Sequence, residues 1–175
     1  SRPETYLQYP EAPVRVPLGE PEFPPAPDLW TTLRTRRSKR NFLPDALELN
    51  ELNVLLWASQ GITADMGSYQ LRTSPSAGAL YPVETYLIVN HVSGLQPGLY
   101  HLDVKDWTLE GLKIENLRED GHRALRGQTM TLQAPVNLIW TAVMDRCRAK
   151  YYERAYRYVW WDSGAAGENF LLAAH

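Results

Sequence analysis

Three segments of this sequence hold residue types that can do chemistry. Arg34 to Arg40 places five cations in seven positions, interrupted by Thr35 and Ser38. Guanidinium forks grip phosphate oxygens in pairs and a serine hydroxyl adds a donor, so the run can clamp a phosphate. The same cations suit a solvated helix end, where the dipole favours positive charge, and a nucleic-acid contact is a third use. Ser74-Pro75-Ser76-Ala77-Gly78-Ala79 strings small residues ahead of Leu80-Tyr81-Pro82. Small side chains let a backbone approach a flat ligand closely and leave amides free to bond its edge. A plain loop before a strand has the same composition. Lys150 to Trp161 interleaves Lys150, Arg154 and Arg157 with Tyr151, Tyr152, Tyr156, Tyr158, Trp160 and Trp161. Lys150 and Arg154 lie four apart, on one helical face, and Glu153 can pair with Arg157 at the same spacing. An amphipathic helix whose cations reach out to water explains that pattern equally well.

Composition narrows the classes these segments can serve. At 175 residues, 44% hydrophobic and 22% charged, the chain fits one globular domain with an arm. A net charge of −2 argues against a dedicated nucleic-acid binder. Cys147 is the one cysteine, and the four histidines are scattered, so neither a disulfide nor a metal site is expected. No apolar run approaches the ~20 residues of a membrane helix. The first residues show no charged-then-apolar signal, and a cytoplasmic location is expected. The dinucleotide and P-loop glycine fingerprints are absent.

The elements that must position the three segments follow from periodicity. Eight of the 13 prolines precede Asp28, so residues 1–27 read as an extended proline-rich arm lying over the domain or a neighbouring subunit. Asp28 caps a short helix that delivers the basic run. Asn50 is expected to cap a second, with Leu52, Leu55, Leu56 and Ser59 on one face and Gly61 ending it. A polar loop runs on to Ser76. Val83 to Asn90 and Val136 to Val143 read as buried strands. Gly98 to Val104 and Trp107 to Leu112 form a hairpin about Lys105-Asp106. Asn116 to Arg126 is a polar helix, and the pattern from Asp145 onward is helical. Ser163, Gly164, Ala166 and Gly167 suggest close packing of that last helix on another helix or subunit. This order predicts an α+β fold.

Taken together the segments resemble the FMN-dependent nitroreductase superfamily, most closely its SagB/ThcOx-type dehydrogenase branch, which includes azoline oxidases. The resemblance rests on Arg36-Arg37-Ser38-Lys39-Arg40-Asn41-Phe42, Leu55-Leu56-Trp57-Ala58-Ser59-Gln60-Gly61, Arg72-Thr73-Ser74-Pro75-Ser76-Ala77-Gly78-Ala79-Leu80-Tyr81-Pro82 and Gly98-Leu99-Tyr100. Lys150-Tyr151, Arg154, Tyr156-Arg157, Asp162-Ser163-Gly164 and Glu168-Asn169 complete it, so that it spans about 33–175. It implies a central, mostly antiparallel sheet flanked by helices, in an obligate homodimer with FMN at the interface. It implies that Arg36, Arg37, Ser38 and Arg40 hold the flavin, and that Pro75, Ser76, Ala77 and Gly78 approach its ring from the other subunit. Lys150 and Tyr151 match a pair to which azoline oxidases assign proton removal. A lysine with its ordinary pKa of ~10.4 is a poor base near neutral pH, so burial or Arg154 is expected to lower it.

The implied activity is FMN-dependent hydride transfer to or from a small organic or peptide substrate, with NAD(P)H as a reductant in the reductase case. A non-catalytic flavin-binding or scaffold homologue is the alternative. The family pattern has Gln-Asn where this chain has Glu168-Asn169, and it continues past this helix. Phe170 to His175 is an apolar helical end without a cap, so the domain, over residues 28–175, is expected to be missing its C-terminal part. FMN held weakly or not at all, and a sheet with an unpaired edge or a gap, are the corresponding expectations.

Overall fold

The computed structural model describes residues 3–175. Seven strands and six α-helices follow in the order β1 (Val14–Pro17), α1 (Leu29–Thr35), α2 (Leu49–Gln60), β2 (Ile62–Asp65), β3 (Gln70–Arg72), β4 (Val83–Val89), β5 (Gly98–Asp103), β6 (Thr108–Lys113), α3 (Arg118–Ala124), α4 (Met130–Gln133), β7 (Val136–Ala142), α5 (Met144–Tyr151) and α6 (Ala155–Ala173). Five strands form one antiparallel sheet in the order β1-β6-β5-β4-β7. The fold is α+β, as the sequence order predicts.

Several elements differ from expectation for local reasons. The proline-rich segment contributes an outer strand: Val14 pairs Gly111 and Val16 pairs Leu109 in register. Pro17 closes that strand at an edge, where a missing N–H is tolerated. Glu48, not Asn50, caps α2, through a reciprocal capping box with Glu51. Asn50 instead exchanges two hydrogen bonds with the backbone of Glu22, at 2.9 and 2.8 Å, and ties the proline-rich segment down. Gly61 sits at φ −57, so it is no left-handed cap. It is small because the Trp57 ring lies where a Cβ would be, 2.5 Å away. The expected polar loop holds the β2–β3 hairpin, turned at Gly67 (φ 78), whose N–H donates to Asp65 at 2.7 Å. β7 is an outer, half-buried strand rather than a buried one. Tyr152 enters the left-handed region (φ 51) and breaks the expected continuous helix into α5 and α6.

Period-two alternation gives the main sheet two unlike faces. Leu87, Val89, Tyr100, Leu102 and Leu109 point to one side and pack with Leu52 and Leu56 of α2 in the main core. Glu84, Tyr86, His101, Asp103 and Glu110 point to the other. That side is covered by the N-terminal segment, which bonds Glu110 through Tyr9 and Asp103 through Gln8, and by Arg146 of α5. Polar residues that would face water in a one-sided sheet are therefore buried.

Candidate active site

The small-residue segment is a tightly held turn at the mouth of β4. Ser76 is extended, and residues 77–79 form one 3-10 turn, with Gly78 at φ 66. Ala79 and Tyr81 follow at φ 52 and 44. Left-handed backbone at a non-glycine residue costs ~1–3 kcal/mol and persists only where surrounding contacts impose it. Here they do. Asp162 of α6 accepts from Ser76 Oγ at 2.6 Å and from Ala77 N at 3.2 Å. Ser76 Oγ accepts from Tyr81 N at 2.9 Å, and the Tyr81 hydroxyl accepts from Arg72 N at 3.0 Å. Asn169 of α6 donates to Thr73 O and Ser74 Oγ, at 3.2 and 3.1 Å.

Lys150 and Tyr151 come to this turn. A Cβ on Gly78 would stand 2.7 Å from Tyr151 Oη and 2.8 Å from Lys150 Nζ, so a side chain there would displace the tips of both. Two of the three predicted segments are thus brought together within one chain. The pair lies at the end of α5, with Tyr151 packed at a tilt against Tyr158, 4.5 Å between ring centres. Lys150 and Arg154 are exposed, so the expected burial of the lysine is not found. Beneath the turn, burial and then the charge of Asp162 push the Cys147 thiol up to about 11, which makes it an inert core residue.

The basic run lies elsewhere. Arg36 ends α1, and Arg37 folds back on the carbonyls of Arg34 and Arg36. Thr35 Oγ1 meets His175 Nε2 at 2.7 Å, at the far end of α6. Asp162 at the turn and His175 are thirteen residues apart along this helix, about 20 Å at 1.5 Å per residue. Asn169, which holds the start of the turn, lies between the two, and among the described residues no hydrogen bond or ion pair joins Arg36, Arg37, Ser38 or Arg40 to Gly78. Among the described residues no carboxylate pairs with any cation of the run. A cavity of about 750 Å³ lies between α2, β7 and the end of α6. Phe42, Leu138, Trp140 and Phe170 line it, and Glu51 is the sole ionisable group among its walls.

Sequence reading missed the ionic chain behind the turn. His101 is fully buried, with Nδ1 2.9 Å from Glu110 and Nε2 3.0 Å from Glu84. Arg15 pairs Glu110 and stands 3.6 Å from Asp103, and Arg146 pairs Glu84. A neutral imidazole donates from one nitrogen only, so carboxylates on both require the charged ring. Burial opposes that charge, but the bonds and fields of Glu84 and Glu110 outweigh it and raise the His101 pKa. Members of this chain are far apart in sequence, and only strand alternation in β4, β5 and β6 hints that they share a face.

Among the described residues no cluster of His, Cys, Asp and Glu could hold a metal, and no helix is long and apolar enough to cross a membrane. Residues 33–175 match the family described as the nitroreductase family. A protein of Methanocaldococcus jannaschii assigned as a nitroreductase is 33% identical over 146 residues, covering 83% of this chain and 72% of that protein. A solved structure from Anabaena variabilis with the same assignment superposes at a TM-score of 0.76 and 27% identity, over 97% of this chain and 35% of that one. A chain of the Escherichia coli microcin synthetase McbBCD complex, solved with truncated pro-MccB17 bound, superposes at 0.64 with 25% identity, over 89% of this chain and 62% of that one. This chain thus spans about a third of the Anabaena protein and under three quarters of the Methanocaldococcus one.

Proposed function

The chain belongs to the nitroreductase family of oxidoreductases, and from that premise we propose that it is an FMN-dependent oxidoreductase of the SagB type, acting on a small organic or peptide substrate. The observation that carries the reading is the seat at Gly78, where Lys150 Nζ and Tyr151 Oη meet a backbone that has no side chain to exclude them. A basic amine and a phenol side by side, at the mouth of a rigid turn, can take and return a proton at one substrate atom. The peptide alternative draws on the microcin synthetase neighbour, solved with pro-MccB17 bound.

The residues present fit FMN. Arg34, Arg36, Arg37, Lys39 and Arg40 are cations without carboxylate partners, and Ser38 adds a hydroxyl, a donor set suited to one phosphate monoester. When bound, FMN supplies hydride exchange at its N5 atom. Arg36, Arg37, Ser38 and Arg40 hold the phosphate end. Pro75 to Gly78 bound the space beside the ring, and Lys150 and Tyr151 hold or move a proton there. On this reading a complete site takes the run and the turn from two copies. Exposed Trp160 (75%) and Trp161 (61%) on α6 offer apolar surface for that contact. Gly164 faces open space, whereas Gly167 packs at 3.5 Å on Trp140 of its own chain.

The test is turnover by the FMN-loaded protein with two donors, NAD(P)H against a quinone and a thiazoline-containing peptide. Lys150→Ala and Tyr151→Phe are expected to keep FMN and to lose about a hundredfold or more of peptide oxidation. Unchanged oxidation in both variants would remove the pair from the chemistry. FMN binding without turnover of any donor would identify a non-catalytic homologue.

A further inference from the structure

Arg146 is buried in the first half of α5, one helical turn before Lys150. Its guanidinium reaches three groups on two stretches of the chain. Nη1 donates to the Tyr81 carbonyl at 2.9 Å and to the Glu84 carboxylate, and Nε donates to the Glu4 carbonyl at 2.7 Å. Tyr81 closes the turn that carries Gly78, in left-handed backbone. Its amide and hydroxyl are held from within the turn and β3, by Ser76 and Arg72. Its carbonyl is held from α5, the helix that ends in Lys150 and Tyr151. Glu84 is fixed in turn by His101 and, through it, by Glu110 and Arg15.

We propose, on the reading of Lys150 and Tyr151 given above, that Arg146 is a positioning residue, which sets the distance of that pair from Gly78 by clamping the turn and α5 together. It touches neither the pair nor the seat. A guanidinium is required because its partners lie in different directions, on Nε and on Nη1, and an ammonium offers one nitrogen.

Arg146→Lys keeps the charge beside buried Glu84 and removes the fork. The probe is trinitrobenzenesulfonate labelling of Lys150, read by peptide mass spectrometry, with exposed Lys105 as the internal reference. In folded Arg146→Lys, the labelling rate of Lys150 is expected to change at least about threefold with Lys105 unchanged. Turnover is expected to fall about tenfold at constant KM, roughly 1.4 kcal/mol. Gly78→Ala displaces the same pair directly, so the double variant should be little worse than either single one. If Arg146→Lys does not fold, Glu84→Gln removes the anchor on Nη1 and should move Lys150 labelling the same way. Parent labelling rates and parent turnover in a folded variant would overturn the proposal. If Lys150→Ala leaves turnover unchanged, the reading of the pair fails, and the labelling rate alone still decides whether Arg146 sets its place.

Discussion

The molecule carries two concentrations of charge that obey opposite rules. Under the sheet, Arg15, Glu110, His101, Glu84 and Arg146 alternate in sign, and each has a partner of the other sign. On the surface, Arg34 to Arg40 gathers five cations that no carboxylate answers among the described residues. The first arrangement is architecture: a charge taken from water must be paired, and pairing joins the N-terminal segment, three strands and α5. The second has its field uncommitted, which suits an anion that arrives from outside. Density of charge does not mark a binding site. Charge left unanswered at the surface is what remains free to take an anion.

The sharpest way to break this contrast is to unpair the buried chain. Glu84→Ala leaves Arg146 and His101 facing each other without the carboxylate between them. A loss of about 3–5 kcal/mol in urea unfolding is expected. Asp162 is the intermediate case, a buried carboxylate answered by the Ser76 hydroxyl and the Ala77 amide and by no cation. Burial therefore raises its pKa, and those two bonds offset only part of the rise. Asp162→Ala strands both donors and should cost about 1–3 kcal/mol. Because the folded state holds the Asp162 proton more tightly, this group's contribution to stability declines as pH rises from about 3.8 through its folded value.

The charge on His101 offers a gentler cut. Its pKa is raised on folding, so its stabilising contribution is complete below about 6.5 and is lost as pH rises through the folded value. The pH dependence of unfolding, parent minus His101→Gln, should fall by up to about 1.4 kcal/mol per pH unit in that window. A flat difference would mean that His101 is neutral. The surface run should respond least of all: Arg36→Ala and Arg40→Ala should each shift unfolding by no more than about 0.5 kcal/mol. A larger loss would make the run structural and dissolve the contrast.

The same contrast explains what could be read from the residues alone. The basic run, the Ser74–Pro82 turn and the Lys150-Tyr151 pair are contiguous in sequence, and all three were visible there. The central strand β4 and the β5–β6 hairpin were visible for the same local reason. Arg146, Glu84, His101 and Glu110 were not, because each is an ordinary polar residue until β4, β5, β6 and α5 bring it to the others. The β2–β3 hairpin escaped notice because strands of four and three polar-rich residues carry too little alternation to register. The break at Tyr152 escaped because a left-handed tyrosine has no sequence signature. Sequence spacing also could not show that α6 holds the turn at Asp162 and Asn169 and meets the end of α1 at His175.

FMN affinity of the Arg36→Ala/Arg40→Ala double variant, measured by quenching of flavin fluorescence beside the parent protein, tests the central claim most directly. Each lost charge-assisted contact is worth about 1.5–3 kcal/mol, or roughly ten- to a hundredfold. The account predicts that the parent binds FMN and that the double variant binds it at least tenfold more weakly with unfolding unchanged. Equal affinity in the two proteins would contradict it, since the unanswered cations would then have no part in holding the cofactor.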